Sequence, residues 1–174
     1  MMPSAILLHG PTSAGKTSLA QALQESAVVP AFHVTLDAFV EMSRRRDMRD
    51  PQEQRQAYAI HCENLRSTLA RLVRTQFEII VDFVLRDESE LLACFQTLVD
   101  RPMYLIGVKA PLEILETREI HRGDRGLGMA REQIQNPAFN RAYDLVIDTS
   151  LLSPAEGASC IRTFIRDHPK AGAI

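Results

Sequence analysis

The sequence has 174 residues, 45% of them hydrophobic and 24% charged, a composition typical of a globular protein with one core. The net charge of -2 argues against a protein that binds nucleic acid without sequence preference, which would need a basic face. No apolar run approaches transmembrane length, and the run at 6–8 is too short for a signal peptide, so we expect a cytoplasmic protein without a membrane partner.

Strand and helix patterns alternate along the whole chain. Strands are predicted for short apolar runs at 5–8, 32–36, 77–81, 103–108 and 144–147. Helices are predicted where apolar residues recur every three or four positions, at 18–24, 53–75, 90–99, from Pro111 onward and at 154–166. This alternation predicts parallel βαβ units, and therefore one α/β domain over residues 1–174. Its expected architecture is a three-layer α/β/α sandwich around a parallel five-stranded sheet.

A glycine-containing loop separates the first strand from the first helix. Residues 10–17 match the phosphate-loop pattern G-x-x-x-x-G-K-[ST] at every fixed position. In such a loop successive backbone N–H groups face phosphate oxygens, Lys16 reaches the β- and γ-phosphates, and the Thr17 hydroxyl ligates Mg²⁺. The predicted ATP-binding residues are Gly10, Pro11, Thr12, Ser13, Ala14, Gly15, Lys16, Thr17 and Ser18. The sequence lacks the N/T-K-x-D element that reads guanine, which argues against a GTP-dependent switch.

Two carboxylates follow or end predicted strands. Asp82 ends the apolar run at 78–82, where a Walker-B acid would hold Mg²⁺ directly or through water. Asp37 follows the second strand, where it could accept the proton of an attacking hydroxyl group. Each has a structural alternative: Asp82 could cap the next turn, and Asp37 could be the N-cap of a helix.

A second glycine-rich segment, His121–Gly128, contains Arg122 and Arg125. Glycines supply hinges and arginines supply forked donors for phosphate oxygens, which is the composition of a lid that closes over ATP. We therefore predict a small lid around 121–137, with a flexible solvated loop as the alternative. Arg44, Arg45 and Arg46 form another basic run, which is better interpreted as a solvated face.

These motifs together resemble the chloramphenicol phosphotransferase-like P-loop kinases. The resemblance covers most of the chain and rests on the phosphate loop, on Asp37, on 79–82, on 122–125 and on 128–130, with further matches at 143–144 and 148–149. It implies a nucleoside-monophosphate-kinase-like fold and ATP-dependent phosphorylation of a hydroxyl group, with antibiotic inactivation as one physiological role. It also implies that Asp37 is the base and that Arg122 and Arg125 are lid residues at the phosphates.

The chain departs from this family where the acceptor should bind. The segment between Glu41 and Tyr58 looks shorter and more charged than in the antibiotic kinase, and Arg86 follows the third strand. The acceptor can therefore differ from chloramphenicol. Two other functions stay open: a metabolic kinase of the shikimate or gluconate type, and an ATP-binding module without transfer activity. A binding module has no need of a carboxylate such as Asp37 at the acceptor.

Overall fold

The computed structural model describes residues 3–43, 48–84, 88–122, 128–139 and 141–171. Its five strands are β1 Ala5–His9, β2 Ala31–Thr35, β3 Glu78–Phe83, β4 Met103–Lys109 and β5 Leu145–Asp148. They form one parallel sheet in the order β2-β3-β1-β4-β5. This confirms the predicted five-stranded parallel sheet and the α/β fold class.

The described part of the chain also contains seven helices and one short 3-10 turn, Pro137–Phe139. The helices are α1 Lys16–Glu25, α2 Leu36–Val40, α3 Pro51–Leu72, α4 Glu88–Thr97, α5 Leu112–Arg122, α6 Met129–Gln135 and α7 Pro154–Asp167. None of the described helices is long and apolar enough to cross a membrane.

The core has two parts, one on each face of the sheet. Along β1 the buried side chains alternate, as a strand covered on both faces requires: Ala5 and Leu7 pack on one side, Ile6 and Leu8 on the other. The first part includes α3 and α4 residues, and the second includes α1, α5 and α7 residues. The sheet is therefore the middle of three layers, as the sequence predicts.

The sequence patterns misplace some boundaries and miss two helices. Leu36 does not belong to the second strand but begins α2, because the Thr35 side chain accepts a hydrogen bond from the Asp37 N–H and so caps a new helix. Helix α3 ends at Leu72 rather than at residue 75, and the Thr75 hydroxyl donates to the Leu72 carbonyl. The α6 helix was not predicted either.

The strand order determines where a ligand can bind. After β1 the chain forms α1 and then β2, which is the edge strand beyond β3. Strand β4 lies next to β1 on the opposite side from β3. In open α/β sheets ligands bind outside the carboxyl ends of the strands, at the point where the connections change direction. That point lies at His9 and Gly10, immediately before the phosphate loop.

Candidate active site

The phosphate loop has the backbone conformations that its motif requires. Gly15 is left-handed, with φ 85°, and forms the N-cap of α1, and Ser13 also has a positive φ of 60°. A Cβ at Gly10 would lie 2.1 Å from the Val108 carbonyl oxygen, so only glycine fits where the loop leaves β1. Among the described residues, the buried hydroxyls of Thr12 and Ser13 have no hydrogen-bond partner. Buried polar groups without protein partners indicate a site built for a polar ligand.

Lys16 is buried although it is charged, with 6% of its surface exposed. Its Nζ donates to the Pro11 carbonyl oxygen at 2.8 Å, so the side chain folds back along its own loop. It lines a small cavity of about 70 Å³ at the carboxyl end of the sheet. An ammonium group desolvated in this way interacts strongly with phosphate oxygens, because little water screens it.

Thr17 and Asp82 meet in the same cavity, where the Thr17 hydroxyl donates to Asp82 Oδ2 at 2.7 Å. The register of β3 places Asp82 beside Leu8 of β1 and Thr35 of β2, so the carboxylate emerges next to the phosphate loop. Asp82 is part of β3 and not a residue of the following turn.

Burial by itself would raise the pKa of Asp82. The His33 imidazole, whose Nε2 lies 3.6 Å from Asp82 Oδ2, and the charge of Lys16 act in the opposite direction and leave that pKa below its ordinary value. Asp82 is therefore an ionised carboxylate at neutral pH. His33 was not singled out in the sequence, since nothing in a strand residue's local context reveals which neighbouring strand it faces.

Asp37 lies in the first turn of α2, and its side chain is exposed to the cavity that also contains Lys16 and Asp82. The N-cap of this helix is Thr35, so Asp37 is not the capping residue that the structural alternative required. The cavity is therefore lined by two carboxylates: Asp82, beside Thr17, and Asp37, at its mouth.

Arg122 is the last residue of α5 and lines the same cavity. Nine of the site residues predicted from the sequence therefore line this cavity: Thr12, Ser13, Gly15, Lys16, Thr17, Ser18, Asp37, Asp82 and Arg122. Arg125 and Arg86, together with Arg44, Arg45 and Arg46, lie outside the described residues. The described parts of the predicted lid around 121–137 are the end of α5, helix α6 and the start of the 3-10 turn.

A second cleft, of about 410 Å³, adjoins the first on the other side of the phosphate loop. Four residues line both cavities: Ser13, Gly15, Ser18 and Arg122. The walls that belong to the second cleft alone come from α1, α5, β5, the loop after β5 and the start of α7, and are Leu19, Arg118, His121, Ile147, Thr149, Leu152, Ser153 and Pro154. None of these eight residues was predicted as a site residue.

Arg118 and Thr149 connect the walls of this second cleft to the phosphate loop. Arg118 donates to the Thr149 hydroxyl and carbonyl oxygens, at 2.9 and 2.8 Å, and to the Ser13 carbonyl at 3.3 Å. The Thr149 hydroxyl donates to the Ala14 carbonyl at 2.9 Å. A signal for this contact was present in the sequence, because residues 148–149 belong to the family resemblance, but that resemblance assigned them no role.

The donor set at Thr17 and Asp82 fits a hard divalent cation such as Mg²⁺. No cluster of three or more His, Cys, Asp or Glu residues that could hold a metal is present in the described ranges. Mg²⁺ bound with a nucleotide needs no such cluster, because it keeps several waters and takes one or two protein oxygens plus phosphate oxygens. A hydroxyl and an ionised carboxylate 2.7 Å apart, beside a phosphate loop, supply those protein oxygens.

The family of the chain follows from a match over nearly its full length. Residues 3–166 match the family described as "Chloramphenicol phosphotransferase-like protein". The chain belongs to this family. Its membership confirms the resemblance that the motifs indicated, and the family and fold support a phosphotransferase with a nucleotide-binding P-loop. Among curated proteins none matches the sequence significantly.

Solved structures with the same fold are P-loop kinases and related proteins. Mycobacterium tuberculosis APS kinase, in complex with AMPPNP and APS, is 13% identical over 95% of this chain and 98% of its own, with a TM-score of 0.72. The tunicamycin resistance protein of Deinococcus radiodurans is 20% identical over 94% and 95%, with a TM-score of 0.68. Shikimate kinase of Aquifex aeolicus is 17% identical over 94% and 96%, with a TM-score of 0.59. At these identities the likeness shows the fold alone.

Proposed function

We propose that the protein transfers the γ-phosphoryl group of ATP to a hydroxyl group of a small molecule. The observation that carries this proposal is the single cavity lined by Lys16, Thr17, Asp37, Asp82 and Arg122. It combines cations for a polyphosphate, oxygen ligands for Mg²⁺, and a separate carboxylate at the mouth. These are the parts that phosphoryl transfer needs, since its catalysis consists mostly of positioning and of charge stabilisation.

The two cavities suggest how the nucleotide lies. The larger cleft, with its partly apolar walls of Leu19, Ile147 and Pro154, has room for the nucleoside. The smaller cavity contains the charged residues and suits the terminal phosphates. Ser13 and Gly15 line both, so the triphosphate would cross the phosphate loop from one to the other. The transferred phosphoryl group then lies on the same side as Asp37.

Within this arrangement each side chain has a defined task. Lys16 binds the β- and γ-phosphate oxygens, and Arg122 from the proposed lid binds the phosphoryl group during transfer. Thr17 and Asp82 would hold Mg²⁺, which when bound neutralises phosphate charge. Asp37 accepts a hydrogen bond from the acceptor hydroxyl, orients its oxygen and takes its proton as the new ester bond forms.

The acceptor is the least constrained part of the proposal. Proteins of this fold include an APS kinase, a shikimate kinase and a tunicamycin resistance protein, so their names point to chemically different molecules. We propose antibiotic inactivation as one role of the present chain and keep a metabolic kinase of the shikimate or gluconate type as the second. A module that only binds ATP is disfavoured by Asp37, which lines the cavity without capping its helix.

The proposal is tested by measuring ADP release with ATP and Mg²⁺ across hydroxylated antibiotics, sugars, nucleosides and small acids. The expected result is release that depends on both protein and acceptor, and that is absent with the Lys16→Ala variant. Release that no compound stimulates would contradict a small-molecule kinase. Binding of ATP without any release would favour the binding module instead.

The Mg²⁺ site makes the first specific prediction. Asp82→Asn should raise the Mg²⁺ concentration needed for the half-maximal rate by about 10–100-fold, because the carboxylate charge is lost while the oxygen facing Thr17 is kept. The measurement is a Mg²⁺ titration of the rate at saturating ATP, with the melting temperature as a control for folding. An unchanged Mg²⁺ dependence would leave Asp82 with a structural role only.

The proposed lid makes the second prediction. Arg122→Ala should lower kcat by about 10–100-fold, the value of one charge-assisted hydrogen bond, and should weaken ATP binding less than that. A matched control on the same pair of helices is Arg131→Ala, which removes an exposed ion pair with Glu116. Wild-type kcat in Arg122→Ala would favour the solvated-loop alternative.

A further inference from the structure

One peptide group of the phosphate loop is held from both sides. Lys16 Nζ donates to the Pro11 carbonyl oxygen at 2.8 Å, and the Thr12 N–H donates to Gln133 Oε1 at 2.6 Å. Both atoms belong to the planar unit that joins Pro11 to Thr12, so neither can rotate without the other. The side chain that fixes this unit comes from α6, more than one hundred residues along the chain.

Gln133 is itself held firmly in place. Only 5% of its surface is exposed, and α6 begins immediately after the arginine-containing segment. Glu119 of α5, 1% exposed, accepts from the Gly128 N–H at 3.1 Å and from the Ala130 N–H at 2.7 Å, and so caps α6 from the helix that precedes that segment. Helices α5 and α6 are thereby tied together, and α5 ends in Arg122.

We propose that Gln133 is a positioning residue that sets the resting place of Lys16 and couples the proposed lid to the phosphate loop. The inference rests on the proposed function. By holding the Thr12 N–H, Gln133 keeps the Pro11 carbonyl turned toward Lys16. An N–H that is already hydrogen-bonded also makes the carbonyl of its own peptide a better acceptor. A displacement of α6 would therefore turn the Pro11 carbonyl and shift Lys16, the lysine that binds the terminal phosphates.

Gln133 acts at the terminal end of the triphosphate. Thr12 lines the small cavity with Asp37 and Arg122 but does not line the nucleoside cleft. The chemistry of the side chain also suits this place, because the acceptor for the Thr12 N–H lies next to a polyanion site. A neutral amide oxygen accepts the hydrogen bond without repelling phosphate, whereas a carboxylate would repel it. Replacing Gln133 should therefore weaken the binding of ATP more than the binding of ADP.

The test compares two nucleotides in four proteins by calorimetry with Mg²⁺: ADP and AMPPNP, the non-hydrolysable ATP analogue. Gln133→Met removes the acceptor. We expect it to weaken the binding of AMPPNP by about 3- to 10-fold, the value of one hydrogen bond, and to weaken the binding of ADP less. Gln133→Glu keeps an acceptor oxygen and the length of the side chain but adds a negative charge, and should also weaken AMPPNP binding more than ADP binding. Gln135→Met, the same substitution at an exposed position of α6, should behave as the wild type.

The ratio of the two affinities decides the outcome. An AMPPNP-to-ADP ratio unchanged from the wild type in folded Gln133→Met would overturn the inference. If that variant does not fold, an unchanged ratio in Gln133→Glu overturns it equally, and unfolding of both variants would show that Gln133 has only a structural role. Failure of the wild type to bind either nucleotide would instead overturn the proposed function, so the two failures are distinguishable.

Discussion

Lys16→Ala should lower the rate of phosphoryl transfer by at least about 10²–10³-fold, the loss seen when one preorganised donor to a developing charge is removed. Lys16 is buried beside the cavity, so little water screens the charge that the variant removes. The effect should appear in kcat at saturating ATP as well as in nucleotide affinity, because in the proposed function the lysine contacts the phosphoryl group that moves.

The control for this variant is Lys170→Ala, which removes a lysine that pairs with Asp144 and does not line either cavity. It should transfer phosphate at the wild-type rate. The measurement is ADP release at saturating ATP with the acceptor identified by the screen. Unchanged turnover in a folded Lys16→Ala protein would show that the 10–17 segment does not act as a phosphate loop.

Asp37→Asn should lower the transfer rate by about 10²–10⁴-fold, the usual contribution of general base catalysis, while ATP affinity stays near that of the wild type. Asparagine keeps the size of the side chain and one acceptor oxygen, so a loss of rate would come from removing the negative charge. Little stability should be lost, because Thr35 and not Asp37 caps α2. An acidic residue in a first helical turn contributes only about 0.3–1 kcal/mol through the helix dipole.

Asp50 provides a matched control, because it is a true N-cap whose Oδ1 accepts from the Gln52 N–H at 2.8 Å. Asp50→Ala should lower the free energy of unfolding by about 1 kcal/mol and leave turnover unchanged. Asp37→Asn should therefore lower the rate and leave the melting temperature nearly unchanged, whereas Asp50→Ala should lower the melting temperature and leave the rate unchanged. Near-wild-type turnover in Asp37→Asn would mean that another group is the base.

The sheet and the phosphate loop could be predicted because their signals are local. Buried strands such as β3 read as continuous apolar runs, and the loop needs its glycines and Lys16 at fixed spacing. Asp37 and Asp82 were found by their position after or at the end of a strand, since parallel strands bring such residues to one edge. Their placement in the same cavity follows from the strand order, with β3 between β1 and β2.

The features that were missed depend on contacts between distant residues. Helix α6 is short, and its N-cap, Gly128, offers no side chain, so its start is stabilised by Glu119 from another helix. In the sequence Gln133 is one of several polar residues, and only the folded chain brings it to Thr12. Arg118 likewise reaches Thr149, thirty-one positions away. No periodicity or motif spacing contains such pairings, because tertiary packing alone creates them.

The central claim is transfer of a phosphoryl group to a hydroxyl, and a phosphorus NMR spectrum of the completed reaction tests it most directly. With ATP, Mg²⁺ and an acceptor from the screen, the account predicts ADP and one new phosphomonoester resonance, coupled to the protons on the carbon that carried the hydroxyl group. The same sample with Lys16→Ala should show neither. ADP and inorganic phosphate without any phosphomonoester would contradict the account, because the protein would then hydrolyse ATP without transferring its phosphoryl group to an acceptor.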